Sequence, residues 1–193
     1  MKKIYIVRHA ESKAQTGGEF GIDSGLSSRG QKQAEQLGKT LKNIGFDEIR
    51  LSPLKRARET LEFSGIEKSE VIFDSRLIEA MPEHAYDELL PYDYPSYGIA
   101  DGYKAWNINL LSRMNNFLDE VLKSDSENIL IISHGMAMST LLRIFICADK
   151  QTVSNCYCFM NNAAVSLVDY NESSGERRLV AWNSEASSLI KIK

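Results

Sequence analysis

The chain has 193 residues, of which 43% are hydrophobic and 25% charged, and its formal net charge at pH 7 is -3. No basic excess points to nucleic acid, and no apolar run approaches the roughly 20 residues of a membrane span. The apolar run Ile4–Val7 ends at Arg8, and this run is too short for the apolar core of a secretory signal. The three cysteines fit neither a disulfide framework nor a paired zinc spacing. We therefore expect a single domain over residues 1–193, located in the cytoplasm, without nucleic-acid or membrane partners.

Short β-branched runs alternate with longer amphipathic runs along the chain. Strands are predicted at residues 4–7, 47–51, 71–73 and 128–132, and helices at about 34–44, 53–63, 105–122 and 136–146. The dipeptide Ser52-Pro53 predicts a capping residue followed by the first helical position. The runs Ala163–Asp169 and Arg178–Trp182 predict a hairpin. The pattern indicates an α/β fold, with a mostly parallel central sheet, helices on both faces and an antiparallel C-terminal hairpin.

The segment Pro82–Tyr103 has a composition of its own. It holds three of the four prolines, five of the eight tyrosines and five carboxylates, but no lysine or arginine. We interpret it as a small lid insertion at about 80–104, over the edge of the sheet. A packed surface loop whose tyrosines cover the sheet fits the same composition equally well.

Two of the three histidines lie just beyond a predicted strand. His9 follows the first strand through Arg8, and His134 follows the fourth through Ser133. Because ligands bind at the carboxyl ends of parallel strands, these two positions predict one shared site. His84 lies inside the lid segment and is interpreted as a bystander.

Five segments resemble, in order, the motifs of the histidine phosphatase superfamily, the phosphoglycerate-mutase-like proteins. They are Arg8–Ser12, Gly25–Ala34, Leu51–Thr60, Leu77–Glu79 and Ser133–Gly135. The resemblance spans nearly the whole chain, and the shared order is more specific than any single segment. Two departures stand out. Ala10 replaces a usual glycine, and Gln15 replaces a frequent asparagine.

The resemblance implies a metal-independent phosphatase of the histidine acid type, with no cofactor. His9 would attack phosphorus and become a phosphohistidine. Glu79 would protonate the leaving oxygen and then deprotonate the attacking water. His134 would donate a hydrogen bond to the phosphoryl group.

The same resemblance implies a phosphate-binding set around these catalytic residues. Arg8 and Arg56 would each hold phosphoryl oxygens bidentately. Gln15 and the backbone near Gly135, at a helix start, complete the predicted set.

Four functions are compatible with these residues. The first is a phosphomonoesterase acting on a small phosphate ester. The second is a phosphoglycerate-mutase-type phosphotransferase, which the acidic lid disfavours because its intermediate carries several negative charges. The third is a non-catalytic protein that binds phosphorylated ligands, and the fourth is a metal-dependent hydrolase. For the esterase we expect a neutral or apolar leaving group, such as a ring that stacks on the lid tyrosines Tyr86, Tyr92, Tyr94 or Tyr97.

Overall fold

The computed structural model describes residues 1–18, 23–67, 70–80, 103–147 and 157–189. Residues 81–102, which make up nearly all of the predicted lid, lie outside the described residues. His84 and the four lid tyrosines expected to bind a ring lie there too.

In the part of the chain that the structure describes, six strands form one sheet in the order β3-β2-β4-β1-β5-β6. Their bounds are β1 Lys2–Arg8, β2 Glu48–Leu51, β3 Val71–Phe73, β4 Asn128–Ser133, β5 Val165–Tyr170 and β6 Arg177–Ser184. The first four strands in that order run parallel, whereas β5 is antiparallel to both β1 and β6. The predicted parallel sheet with an antiparallel C-terminal hairpin is confirmed.

The helices of the described residues are α1 Ser28–Leu41, α2 Lys55–Ser64, α3 Tyr103–Lys123, α4 Gly135–Cys147 and α5 Ala186–Leu189. Two 3-10 helices, Lys13–Thr16 and Ser75–Leu77, lie in loops. The first four helices were predicted, with shifted ends, but the four-residue α5 is too short to show a period. Within these ranges no helix is both long enough and apolar enough to cross a membrane.

The predicted start of α2 at Ser52-Pro53 is wrong. The helix begins at Lys55, and Leu54 precedes it without a side-chain cap. Ser52 Oγ lies 2.7 Å from His134 Nε2 instead. A buried imidazole nitrogen needs a hydrogen-bond partner, and this tertiary contact overrides the local capping signal.

Two apolar cores cover the two faces of the sheet, because successive residues of a strand point to opposite faces. One core packs α3 and α4 against the sheet and includes Ile4, Ile6, Ile129, Ile131, Met114, Phe117, Leu141 and Phe145. The other packs α1, α2 and α5 against the opposite face and includes Tyr5, Val7, Leu130, Ile132, Leu37, Leu41 and Leu61. Burial on both faces explains why the strand sequences are continuously apolar.

The register of the parallel strands brings three strand ends to one level. Arg8 pairs with Ser133, and Leu51 pairs with Ile132. The next residues, His9, His134 and Ser52, therefore leave the sheet side by side. This edge is the one at which ligands bind in parallel α/β sheets.

Glycine keeps the loop after β1 close to this edge. A Cβ at Gly30, in the first turn of α1, would overlap the backbone carbonyl of Glu11. The absence of a side chain lets α1 pack directly on the loop that follows His9.

Candidate active site

The side chains of His9 and His134 face each other at the carboxyl edge of the sheet. Their ring centroids are 5.0 Å apart, and the two residues are 4% and 0% exposed. Arg56, in the first turn of α2, lies between them. Its Nε is 3.2 Å from His9 Nε2 and 3.1 Å from His134 Nδ1. The predicted pair of strand-end histidines thus shares one guanidinium.

The partners of His9 assign its tautomer. Nδ1 lies 2.6 Å from the carbonyl oxygen of Ala10, which can only accept, so Nδ1 carries the proton. Nε2 then keeps a lone pair, to which the Nε–H of Arg56 donates. Burial, followed by the charge of Arg56, lowers the pKa of His9 to about 3. His9 is neutral at pH 7 and presents an unprotonated Nε2, the form that a nucleophile requires.

Ala10 fits this arrangement in place of the family's usual glycine. Its side chain is buried in a small apolar cluster with Leu26 and Ala34. Its amide donates to Thr60 Oγ1 at 3.0 Å. The extra methyl therefore packs against apolar neighbours.

His134 has a different second partner. Its Nδ1 accepts from Arg56, so the proton lies on Nε2 and is donated to Ser52 Oγ at 2.7 Å. Burial, and then the charge of Arg56, holds the pKa of His134 well below its usual value. A hydroxyl can donate as well as accept, so Ser52 permits either tautomer of His134. Sequence reasoning missed this role, although the position of Ser52 directly after β2 was a usable signal.

Arg8 completes the cationic side of the site. Its Nη1 donates to the carbonyl oxygen of Met160 at 2.6 Å. Its Nε is buried and has no hydrogen-bond partner among the described residues. A Cβ at Gly135 would lie 3.4 Å from that Nε, so glycine lets the start of α4 approach the guanidinium. A buried cationic donor without an acceptor is costly, which suits this group to an anionic oxygen.

Glu79 caps the start of α4. Its Oε1 accepts from the amides of Ala80 at 2.9 Å and Ala137 at 3.1 Å, and its Oε2 accepts from Met136 at 3.2 Å. The backbone near Gly135 was predicted to bind phosphate, but the Met136 and Ala137 amides are occupied by Glu79.

The backbone that carries Glu79 is fixed from below. Arg113 of α3 donates from Nη1 to the carbonyl oxygens of Arg76 at 2.9 Å and Ile78 at 2.8 Å. Ser133 Oγ donates to the carbonyl oxygen of Leu77 at 2.6 Å. Sequence reasoning missed Arg113, although an arginine on the apolar stripe between Leu110 and Phe117 was a signal.

The structure does not bring Gln15 into the group around Arg56. Its side chain is exposed and pairs amide to amide with Asn162, at 3.2 and 3.1 Å. Its Oε1 also accepts from the amide of Ser12 at 3.0 Å. Asn162 in turn donates to the carbonyl oxygen of His9 at 3.0 Å, so the described contacts of Gln15 hold the loop beside the nucleophile.

The assembled site combines two guanidiniums with two neutral imidazoles, an arrangement suited to an oxyanion with several oxygens. Within the described ranges, no three His, Cys, Asp or Glu side chains are grouped as metal ligands.

Comparison with known proteins gives the family. The model of the histidine phosphatase superfamily (branch 1) matches residues 4–185. Phosphoserine phosphatase 1 of Hydrogenobacter thermophilus is 29% identical over 189 residues, which cover 89% of this chain and 88% of that protein.

Two solved structures share the fold over almost their whole length. The alpha-ribazole phosphatase of Shigella flexneri superposes with a TM-score of 0.72 at 22% identity, covering 94% of this chain and 96% of that one. A mutant phosphoserine phosphatase of Entamoeba histolytica, in complex with phosphoserine, gives a TM-score of 0.68 at 19% identity, covering 95% and 98%. The chain belongs to branch 1 of the histidine phosphatase superfamily.

Proposed function

We propose that the protein is a phosphomonoesterase that hydrolyses a small phosphate ester through a phosphohistidine on His9. One observation carries the proposal. The unprotonated Nε2 of His9 lies 3.2 Å from Arg56 Nε, in the site where Arg8 Nε is buried and finds no acceptor among the residues that the structure describes. A nucleophile beside two guanidiniums supplies the positioning and the charge stabilisation on which phosphoryl transfer depends.

In the first step, Arg8 and Arg56 hold the phosphoryl oxygens and His9 Nε2 attacks phosphorus. The bond from phosphorus to the ester oxygen breaks as the nitrogen–phosphorus bond forms. Glu79 enters the cycle protonated on Oε2, which accepts one amide, that of Met136, and gives this proton to the leaving oxygen. The transition state spreads its charge over three oxygens, where fixed guanidiniums stabilise it without reorganisation.

In the second step, water attacks the phosphohistidine and Glu79 takes the proton of that water. The nitrogen–phosphorus bond breaks, inorganic phosphate leaves and His9 regains its lone pair. When the ester binds, His134 loses its Nε2 proton to solvent and gains one on Nδ1, and this exchange reverses when phosphate leaves. In that tautomer Ser52 donates to Nε2, and the Nδ1–H donates to the phosphoryl group. Each group thus returns to its starting state.

The names of the relatives support the reaction class. They include a phosphatase acting on phosphoserine and one acting on alpha-ribazole phosphate, both phosphate esters. We extend to this chain the reaction class, hydrolysis of a phosphate ester, but not the particular substrate of either relative. A cytoplasmic location and activity without a metal belong to the same proposal, and full turnover in the presence of a chelator is expected.

The test is hydrolysis of 4-nitrophenyl phosphate by the wild type, His9→Ala and the matched histidine variant His84→Ala. Acid-labile, base-stable phosphate should be trapped on the wild type and on His84→Ala. His9→Ala should lose both the label and turnover. Turnover that persists in His9→Ala would overturn the proposal.

The same assay separates the alternatives. With 3-phosphoglycerate, a mutase forms the 2-phospho isomer, whereas the proposed phosphatase forms none of that isomer and releases inorganic phosphate from 4-nitrophenyl phosphate. A non-catalytic binder takes up no label with either substrate.

A further inference from the structure

Three exposed aromatic side chains, Tyr157, Phe159 and Trp182, form an aromatic patch on one side of the site. They are between 42% and 53% exposed. Residues 157–160 alternate, so Tyr157 and Phe159 point outward while Cys158 and Met160 are buried in the core. Exposed aromatic rings grouped in this way mark a binding surface more often than a single exposed ring does.

Tyr157 connects the patch to the candidate active site. Its hydroxyl lies 3.3 Å from the position of a Cβ built on Gly135, the residue that also approaches Arg8 Nε. Burial raises the pKa of Tyr157, with a further raising effect from Glu79 and a lowering one from Arg8. The Met160 carbonyl, three residues further along the chain, accepts from Arg8. Tyr157 therefore lies close to the guanidinium of Arg8, which would hold the phosphoryl group of the ester.

The patch continues outward from that point as a fixed surface. The rings of Tyr157 and Phe159 are 6.4 Å apart in an edge-to-face arrangement. Trp182 Nε1 donates to the carbonyl oxygen of Phe159 at 3.0 Å. The amide of Cys158 donates to Ser139 Oγ at 2.8 Å, which ties the segment to α4. A surface already held in place loses little conformational freedom when a ligand binds.

We infer that the aromatic patch binds the leaving group of the substrate, and that this group carries a planar, apolar ring. The inference rests on the proposed phosphatase activity, because the phosphoryl group in the pocket directs the rest of the ester toward Tyr157. Rings stack on rings, whereas a charged leaving group would lose hydration against them without gaining a partner. These residues differ from the lid tyrosines that the sequence analysis favoured for the same task.

The experiment compares benzyl phosphate with ethyl phosphate, whose leaving alcohols have similar acidity and differ in the ring. The wild type should prefer benzyl phosphate in kcat/KM. Tyr157→Leu and Phe159→Ala should each reduce that preference roughly threefold to tenfold. Ethyl phosphate turnover should change little in Phe159→Ala.

Leu179→Ala is the matched control. Leu179 is 39% exposed on β6, but it pairs with Val168, which pairs with Ile4 at the far end of β1 from the site. Leu179→Ala should leave the kcat/KM for benzyl phosphate and for ethyl phosphate unchanged. A preference for the ring that survives in both aromatic variants overturns the inference, while ethyl phosphate hydrolysis still reports the phosphatase. A dimer that Tyr157→Leu dissociates, with the preference intact, assigns the patch to a second copy and also overturns it.

Discussion

His9 and His134 occupy equivalent places in the fold, one residue beyond β1 and one beyond β4, yet their surroundings differ in one respect. Both rings turn one nitrogen toward Arg56 Nε, at 3.2 and 3.1 Å. The other nitrogen of His9 meets the carbonyl of Ala10, whereas that of His134 meets the hydroxyl of Ser52.

In the mechanism we propose, that difference separates the two roles. A carbonyl only accepts, so it holds the proton of His9 on Nδ1 and keeps Nε2 permanently nucleophilic. A hydroxyl accepts or donates, so it lets His134 present either a lone pair or an N–H to the pocket. The topology brings the two histidines together, and in the proposed mechanism the hydrogen-bond partner behind each ring determines which one attacks phosphorus and which one donates to the phosphoryl group.

Replacing each histidine by asparagine should have the largest effects on activity, and the two variants should differ. His9→Asn removes the covalent route and should lower kcat by about 10,000-fold or more. His134→Asn removes one donor and should cost about 100-fold to 1,000-fold, while still forming the phosphoenzyme. Rapid-quench kinetics on both variants measures this, and equal losses would contradict distinct roles.

Glu79, the acid of the proposed mechanism, lies on the His134 side of the site, because it caps the helix that follows His134. Glu79→Gln should slow hydrolysis of an alkyl ester by about 100-fold or more, and that of 4-nitrophenyl phosphate far less, since only a poor leaving group needs the proton. The ratio of the two rates is the readout. Equal losses would assign Glu79 a purely structural role.

The two histidines also share a property that pH reveals. Both imidazoles have a pKa below the value of about 6.5 that they have in the unfolded chain, and the pKa of His9 is lowered to about 3. As the pH falls below about 6.5, these two imidazoles therefore bind a proton in the unfolded chain but not in the folded one. Each histidine should then remove about 1.4 kcal/mol of stability per pH unit.

Urea unfolding between pH 7 and 5 measures this slope. His9→Asn and His134→Asn should each flatten it by a similar amount. A slope unchanged in either variant would show that the histidine replaced is not neutral in the folded state.

Ser52→Ala should have a smaller effect, and it tests whether the hydroxyl behind His134 supports the role of that histidine. It leaves His134 Nε2 without its partner and should lower kcat about tenfold, with KM for the ester little changed. Nitrogen NMR supplies the specific readout. Added inorganic phosphate should move the wild-type His134 proton from Nε2 to Nδ1, while His9 keeps its proton on Nδ1. A proton on His134 that stays on Nε2 would rule out the proposed role of Ser52.

The predictable part of the fold lies in local patterns. The apolar runs that end at Arg8 and Ser133 predicted β1 and β4, and the meeting of their ends follows from parallel pairing. The order of the family motifs identified the superfamily, which the family model confirms.

The unpredicted part depends on contacts between distant segments. Ser52 has the local signature of a helix cap, and only the register of β2 against β4 places it under His134. Arg113 acts through carbonyls 35 and 37 residues away. Tyr157 meets the pocket because the segment before β5 passes the start of α4, which no period or motif encodes.

The chemical form of the phosphoenzyme is the most direct test of the proposed attack by His9. Wild-type protein is quenched during turnover, and the phosphorylated peptide is analysed by mass spectrometry and phosphorus NMR for the residue and the nitrogen that carry phosphate. We expect phosphate on Nε2 of His9. Phosphate on His134, or on Nδ1 of His9, would rule out the proposed mechanism.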